Sequence, residues 1–352
     1  MEKVTKSAST ANQKEKLLDE TKKLLVKEGA MGLKVAQEAL AERRIGNEAL
    51  REAIRYTRAS MNAPADYFRP ALLSLCSRAV GGTSEITVPV AASLVLFARA
   101  IGIHDDIIDQ SKRKNRRLTA PGKLGEDMSI ILSDILLFKG FTLMRKALET
   151  GVPPTKLAAV LSTVEMIWFE QSEGEALEIQ SRSNINISPE KCLAKIKMRA
   201  SETEACTRIG GILGGGSESE VESLGRYGRL LGSASILRNE LIDMLEPEAL
   251  RHRIRKESLP LPVVYALQNQ QFRTELASLI SERTSTENLA AISRIVDQAG
   301  GIKYVANLLG KMVKEAYSYL DVLKNKDALS PLRLLLKALP LQSEEWKPIL
   351  YE

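Results

Sequence analysis

The stretch Ile101-Gly-Ile-His-Asp-Asp-Ile-Ile-Asp109 ends an apolar segment with three carboxylates. Asp105 and Asp109 are four residues apart, so a helix projects both from one face, about one turn apart. Two carboxylates on an apolar helix repel each other and lose hydration unless a cation lies between them. Oxygen ligands of this kind are those that Mg²⁺ prefers. The pattern indicates a magnesium site, although the same residues could simply face water at the end of a helix.

A second acidic segment, Leu237-Arg-Asn-Glu-Leu-Ile-Asp243, lies much further along the chain. It places Asn239 and Asp243 four residues apart on a strongly amphipathic helix. Between the two acidic segments, Gly174-Glu-Ala-Leu-Glu178 falls on a third helix, and taken alone it reads as an exposed acidic face. We expect the first and second acidic segments to face each other across one cavity.

Apolar positions along the rest of the chain recur at helical spacing. Leu33, Ala36 and Leu40 follow one another at steps of three and four residues. No run of strict alternation stands out, and most prolines fall between the apolar stripes, where they indicate helix starts or breaks. The sequence therefore predicts an all-α protein. We expect a polar N-terminal extension over residues 1–18 and a single helical domain over residues 19–352.

Histidine and cysteine are scarce in this chain of 352 residues, with two and three copies respectively. Cys76, Cys192 and Cys206 lie far apart and form no Cys-x-x-Cys pair, so we expect neither a zinc site nor a disulfide framework. A hydrolytic triad would have to use His104 or His252. The scarcity leaves carboxylates as the ligands of any metal, which again points to Mg²⁺.

The chain carries a formal net charge of +6, and much of its basic character lies in two runs. Lys112–Arg117 follows the first acidic segment, and Arg251–Lys256 follows the second. Aromatic residues do not alternate with these charges as they do in many nucleic-acid surfaces, so we expect no nucleic-acid partner. The runs could be solvated charge alone. Their positions fit better a site in which metal ions and basic groups together hold a diphosphate.

No segment of the sequence is typical of a signal peptide or a membrane-spanning helix. The first residues are polar, and the apolar run from Val88 to Ile103 is interrupted by Arg99. That run is also shorter than the roughly 20 residues that a spanning helix needs. We therefore expect a cytoplasmic protein without a transmembrane segment.

Several short segments, taken in order, resemble the landmarks of the trans-isoprenyl diphosphate synthase superfamily, which includes related class I terpene synthases. They are Phe68-Arg-Pro70, His104-Asp-Asp-Ile-Ile-Asp109, Ser133-Asp-Ile-Leu-Leu137, Gly174–Glu178, and Asn239–Asp243 followed by Lys256-Glu-Ser-Leu-Pro260. The resemblance covers the segment from about residue 60 to about residue 265. It implies an all-helical bundle around a deep apolar cavity, often assembled as a homodimer. It also implies Mg²⁺-dependent ionisation of an allylic prenyl diphosphate.

The resemblance also implies a role for individual residues. Asp105 and Asp109 would ligate two Mg²⁺ ions, and Asn239 and Asp243 would ligate a third. The acidic side chains expected to lie beside these ligands are Asp106, Glu175, Glu178 and Glu240, of which Glu175 and Glu178 replace the usual Gln and Asp of their motif. The basic side chains expected to contact the allylic diphosphate are Lys114, Arg199, Arg238 and Lys256.

The departures from the family pattern concern the second substrate. Chain-elongating members hold isopentenyl diphosphate with a Gly-Gly-Lys-Arg-x-Arg-Pro segment, a His or Gln upstream of the first aspartate motif, and an Arg pair after it. Here the first segment reads Pro64-Ala-Asp-Tyr-Phe-Arg-Pro70, with Asp66 in place of the lysine and only Arg69 kept. The upstream position is Ala98, and the Arg pair reads Lys114-Asn115. An acid where an anion should bind weakens that binding outright.

This asymmetry favours a single-substrate class I terpene synthase, which would ionise one allylic diphosphate and let the cation cyclise or lose a proton. One alternative is a trans-prenyltransferase, either elongating a chain with isopentenyl diphosphate or prenylating another acceptor. A second alternative is a non-catalytic partner subunit of a prenyl synthase. Intact metal ligands argue against that last interpretation.

The resemblance suggests which residues surround the isoprenoid tail. Phe97, Ala100 and Ile101 precede the first aspartate motif at positions that line the substrate channel in the family. Phe97, Trp168 and Phe169 are candidate cavity aromatics, because a ring face can stabilise a cation, although plain core packing is the favoured explanation of each. Small Ala100 with Phe97 one turn deeper leads us to expect a C15–C25 substrate, with C20 favoured.

Overall fold

The computed structural model describes residues 2–41, 45–114, 117–282, 285–323 and 325–339, with the backbone alone for 2–14, 286 and 327. Within these residues the chain is almost entirely helical, as predicted. The helices are α1 (Glu2–Ala39), α2 (Glu48–Ser60), α3 (Pro64–Ala79), α4 (Val88–Ile108), α5 (Ala120–Leu124), α6 (Glu126–Glu149), α7 (Pro154–Gln180), α8 (Pro189–Arg199), α9 (Ser201–Gly214), α10 (Glu218–Asp243), α11 (Pro247–Lys256), α12 (Leu261–Ala266), α13 (Gln270–Ser281), α14 (Thr286–Gln298), α15 (Gly301–Leu320) and α16 (Leu329–Lys337). Short 3-10 helices span Glu85–Thr87 and Lys326–Ala328, and two short strands, β1 (Arg113–Lys114) and β2 (Arg117–Leu118), form an antiparallel hairpin.

Local sequence signals set where many of these helices begin. Proline occupies one of the first two positions of α3, α4, α5, α7, α8, α11 and α12. At these positions a backbone N–H has no acceptor within the helix, so proline, which lacks this group, costs no hydrogen bond. Ser217 begins α10 with a capping box, since its hydroxyl accepts from the N–H of Glu220 while the Glu220 carboxylate accepts from the N–H of Ser217. Pro70 departs from the expectation that prolines lie between helices, because it lies inside α3, fully within the core.

Helix α4 is the central element of the bundle. It packs against α6, α1 and α3, and its buried side chains belong to both of the hydrophobic clusters that form the core. On the other side of the bundle, α10 packs between α9 and α15. Helices α3 and α9 approach closely at Gly210, where an added Cβ would lie 2.7 Å from the carbonyl oxygen of Leu73. Helix α4, whose last turn carries the first acidic segment, is held by its packing against α6, α1 and α3.

One segment in the described part of the chain, Glu85–Ile108, is long and apolar enough by composition to cross a membrane. It coincides with α4, and 67% of its most apolar window is buried inside the protein. Burial on that scale is what a core helix of a helical bundle shows, so the segment is accounted for by packing within this fold.

At the N-terminal end, helix α1 runs from Glu2 to Ala39, with the backbone alone described for residues 2–14. The polar N-terminal extension over residues 1–18 stays a prediction. A single helical domain over residues 19–352 stays our prediction.

Candidate active site

The first acidic segment closes α4. Asp105 and Asp106 lie in the last turn of this helix, and Asp109 is its C-terminal cap. The hairpin that follows brings Lys114 back onto the helix end, where its Nζ lies 3.0 Å from Asp105 Oδ2 and 2.9 Å from Asp106 Oδ1. Arg182, just after α7, donates from Nη2 to Asp109 Oδ1 at 2.8 Å. All three acids therefore have a cation beside them.

The second acidic segment closes α10 in a similar way. Arg253 on α11 donates from Nε to Asp243 Oδ2 at 3.0 Å and from Nη1 to Glu257 Oε2 at 2.9 Å. Asn239 is exposed one turn earlier on α10. Glu257 is close enough to Asp109 to raise the pKa of that carboxyl group. Arg253 and Glu257 thus link Asp243 to the neighbourhood of Asp109. That the two acidic segments form one metal site stays a prediction.

Two acidic side chains of the site, Asp109 and Glu175, have raised pKa values. Burial, together with the neighbouring charges of Asp105, Glu257 and Glu175, raises the pKa of Asp109 to about 7. Burial raises the pKa of Glu175 as well, and its Oε1 is buried without a hydrogen-bond partner in the described part of the chain. A cation bound beside these two carboxyl groups would stabilise their charged form.

The residues of the site fit magnesium by the chemistry of their donors. No group of three or more His, Cys, Asp or Glu side chains is already arranged as a metal cluster within the residues that the structure describes. The candidate ligands Asp105, Asp109, Asn239 and Asp243 nevertheless offer only carboxylate and amide oxygens, which are the donors that Mg²⁺ takes. Glu175 Oε1 has no hydrogen-bond partner in the described part of the chain and the pKa of Asp109 is raised, so a bound cation would stabilise the charged form of both groups.

Glu178 and Glu240 each accept a hydrogen bond from a backbone N–H group of another segment. Glu178 accepts from the N–H of Ser258 at 2.6 Å through Oε1, and its Oε2 lies 2.6 Å from Lys195 Nζ. Burial alone would raise the pKa of Glu178, but Lys195, Arg199 and these hydrogen bonds lower it to about 2. Glu240 accepts from the N–H of Leu261 at 2.9 Å and is buried. Both acids position the segment that follows α11.

The basic side chains predicted to contact a diphosphate lie around the same opening. Arg199, the last residue of α8, places Nη2 3.7 Å from Asp105 Oδ1. Lys256 donates to Gln110 Oε1 at 2.7 Å, so the end of α11 touches the end of the first acidic segment. Arg238 is partly buried on α10. The sequence could not assign His104 a partner; its Nε2 lies 2.7 Å from Ser133 Oγ.

A small apolar pocket, with a cavity volume of about 40 Å³, lies below the first acidic segment between α3, α4, α7 and α9. Phe97, Ile101 and Trp168 line it, with the rings of Phe97 and Trp168 edge-to-face at 6.3 Å between centroids. Two of the expected cavity residues lie elsewhere. Ala100 is fully buried in the cluster against α1 and α6, and Phe169 is 67% exposed on the outer surface of α7.

The expected second-substrate region is filled by internal ion pairs. Arg69 donates from Nε to Glu202 Oε1 at 2.5 Å and from Nη2 to Glu202 Oε2 at 2.8 Å. Asp66 Oδ1 lies 3.0 Å from Arg99 Nη2. Asn115, the neutral replacement within the Arg pair, lies outside the described residues.

Sequence reasoning missed several residues that the structure places at the site. They are Arg182, Lys195, Glu202, Arg253 and Glu257. Arg253 and Glu257 adjoin or belong to the predicted basic run, so closer attention to its spacing could have singled them out. Arg182, Lys195 and Glu202 carry no local signal, because their partners lie on other helices.

The molecule is thus a helical bundle with acidic and basic side chains at the ends of α4, α10 and α11 and an apolar pocket beside α4. Comparison with known proteins identifies the family: residues 47–298 match the pattern of the polyprenyl synthetase family. The chain belongs to this family, so the predicted superfamily membership is confirmed.

Individual relatives agree with that assignment. The chain is 28% identical over 284 residues to geranylgeranyl diphosphate synthase of Methanosarcina mazei, covering 79% of this chain and 85% of the relative. It is 29% identical over 276 residues to short chain isoprenyl diphosphate synthase of Methanothermobacter thermautotrophicus, covering 76% and 83%. The fold matches the crystal structure of geranylgeranyl pyrophosphate synthetase from Pyrococcus horikoshii with a TM-score of 0.83 at 21% identity, covering 93% of this chain and 99% of that one.

Proposed function

We propose that this chain is a Mg²⁺-dependent enzyme that ionises an allylic prenyl diphosphate and transfers the prenyl group to an acceptor. The observation that carries the proposal is the position of Asp109 and Asp243 at two helix ends, linked through Glu257 and Arg253 and lying beside basic groups and an apolar pocket. Relatives bearing the names of prenyl diphosphate synthases support this transferase alternative better than the terpene synthase, or lyase, that the sequence favoured.

The proposed mechanism begins with the diphosphate at the mouth of the site. Asp105, Asp109, Asn239 and Asp243 would hold Mg²⁺, up to three ions in all, which supplies positive charge to the leaving diphosphate. Lys114 lies within hydrogen-bond distance of both Asp105 and Asp106, so its ammonium group can turn to a phosphate oxygen placed beside them.

The reacting bond joins the allylic carbon to the diphosphate oxygen. When it breaks, both electrons leave with the diphosphate, and Arg199 and Lys256 stand where they can stabilise that departing charge. The allylic cation stays over the apolar pocket, where Phe97 and Trp168 present ring surface and exclude water. We propose that the substrate is a C15–C25 allylic diphosphate, with C20 favoured.

The relatives and the local geometry support different answers to whether isopentenyl diphosphate is the acceptor. Chain elongation needs isopentenyl diphosphate, and the similarity to prenyl diphosphate synthases favours it. A second candidate, a single-substrate terpene synthase, draws its support from Asp66, which stands with Arg99 where the family pattern has a basic group. A non-catalytic partner subunit has no corresponding observation in its favour.

We also propose that the protein acts as a cytoplasmic homodimer. The outer faces of α6 and α7 expose a series of large apolar side chains, including Phe138 at 76% and Phe169 at 67%. Ile131, Phe141 and Met166 extend the same two helices' exposed apolar surface. A surface of this kind on adjacent helices is typical of a protein interface.

The proposed function is tested by incubating the protein with Mg²⁺ and C10–C25 allylic diphosphates, with and without isopentenyl diphosphate. Release of inorganic diphosphate that requires Mg²⁺ and is lost in Asp105→Asn supports ionisation. Longer diphosphates formed only with isopentenyl diphosphate identify chain elongation, whereas hydrocarbon or alcohol from the allylic substrate alone identifies the terpene synthase. Absence of any turnover with every substrate would contradict the proposal.

A further inference from the structure

Arg69 and Glu202 form a two-pronged ion pair at the wall of the apolar pocket. Both guanidinium donors, Nε and Nη2, are used on the two carboxylate oxygens of Glu202, at 2.5 and 2.8 Å. Both side chains line the pocket and keep about a quarter of their surface accessible, 28% and 26% respectively. This fork-to-fork geometry is the one by which arginine binds carboxylates and phosphates alike.

A second ion pair lies next to the first. Asp66, one turn before Arg69 on α3, pairs with Arg99 of α4 and also accepts from the N–H of Ala63 at 2.8 Å. The two arginines and two acids cancel in charge. A guanidinium facing a pocket is ordinarily an anion site, but here each guanidinium already has an anion supplied by the chain itself.

Glu202 is placed to compete with an incoming ligand. It lies at the start of α9, and Arg69 is the only group that its carboxylate contacts by hydrogen bond or ion pair in the described part of the chain. A second diphosphate would have to displace Glu202 from Arg69 and then lie beside two carboxylates, Glu202 and Asp66. Repulsion between anions in a partly buried site is a strong means of rejecting a ligand.

We infer that Glu202 is a specificity-determining residue that occupies Arg69 and thereby excludes a second diphosphate from the pocket. The pocket is left to the uncharged chain of the first substrate, so the acceptor of the proposed transferase would carry no diphosphate. This inference rests on the proposed function for the statement that a prenyl chain enters the pocket. The exclusion itself follows from the ion pairs alone.

The test is a calorimetric titration of isopentenyl diphosphate, and of inorganic diphosphate, into the full-length protein without Mg²⁺. Glu202→Gln keeps the shape of the side chain and removes its charge. We expect it to bind isopentenyl diphosphate at least about tenfold more tightly than the unaltered protein, since a charge-assisted contact is gained and a repulsion is lost. Glu202→Ala provides an independent measurement.

Two controls separate the inference from a general change in charge. Glu222→Gln removes an acid that also pairs with arginine, namely Arg208 and Arg226, but lies away from the pocket. It should bind as the unaltered protein does. Arg69→Gln combined with Glu202→Gln should lose the gain in affinity, because the gain requires a free guanidinium.

The inference is overturned if a folded Glu202→Gln protein binds no more tightly, or if the double variant keeps the gain. It is also overturned if the unaltered protein already binds isopentenyl diphosphate as tightly as the variant. In the presence of Mg²⁺ and a C15 allylic diphosphate, we expect Glu202→Gln to form more elongated product. Tighter binding without any turnover would support the exclusion while refuting the proposed function, so the two can fail separately.

Discussion

Substitution of Lys195 by methionine removes the cation that holds Glu178. Both side chains are almost fully buried, at 4% and 3% exposure, and Lys195 Nζ lies 2.6 Å from Glu178 Oε2. The pKa of Glu178 is about 2, against an ordinary value of 4.5. At about 1.4 kcal/mol per pH unit, this depression corresponds to about 3 kcal/mol of stability. Removal of one partner from a buried pair typically costs about 3–5 kcal/mol.

We therefore expect Lys195→Met to unfold at a lower urea concentration than the unaltered protein. Its free energy of unfolding at pH 7, measured by urea unfolding monitored with circular dichroism, should be lower by about 3 kcal/mol. The stability that comes from Glu178 is fully present above its unfolded pKa of 4.5 and is lost as the pH falls towards about 2. The unaltered protein should thus lose stability between about pH 5 and pH 2 through this group, and the variant should lose less over that interval.

Lys197→Met is the matched control, because Lys197 lies on the same helix with an exposed side chain. It should change the free energy of unfolding by less than about 0.5 kcal/mol. A Lys195→Met protein that unfolds within about 1 kcal/mol of the unaltered one at pH 7 would refute the reasoning, since the buried pair would then contribute little.

Three further outcomes test the site and the interface. Asp105→Ala and Asp243→Ala should each abolish turnover with an unchanged helical circular dichroism spectrum, and full activity in either would remove the metal assignment. An added Cβ at Gly140 would lie 2.4 Å from Phe97 Cε1, so Gly140→Ala should push that ring into the pocket and shift chain-length preference to shorter substrates; unchanged preference speaks against Phe97 as a wall. Phe138→Glu should turn a dimer into a monomer in sedimentation, whereas an unchanged mass would place the interface elsewhere.

The helical character of the chain could be predicted because it depends on the pattern of neighbouring residues. The spacing of apolar positions gives the period of a helix, and proline marks where many helices start. The same patterns predicted that Asp105 and Asp109 share one end of α4, since spacing along a helix fixes a face. That this end of α4 and the Asp243 end of α10 form one metal site stays a prediction, supported by the effect of Glu257 on the pKa of Asp109.

Other features could not be predicted, because they depend on which side of a helix meets which neighbour. Helix α4 is apolar on all sides, so periodicity does not tell that Phe97 faces the pocket while Ala100 faces α1 and α6. Phe169 adjoins Trp168 on α7 yet points outward. The pairing of Arg69 with Glu202 joins residues 133 positions apart and leaves no local trace.

Every acid that we assign to the metal ions has a basic side chain within reach at present: Lys114 on Asp105, Arg182 on Asp109 and Arg253 on Asp243. A divalent cation that takes those oxygens sets the ammonium and guanidinium groups free, and an anionic phosphate can then receive them. By thermodynamic linkage the coupling is reciprocal, so magnesium should raise the affinity for the diphosphate by the same factor as the diphosphate raises the affinity for magnesium. Magnesium and the diphosphate would thus bind cooperatively, and the basic side chains of the protein would pair with the acids only while the site is without them.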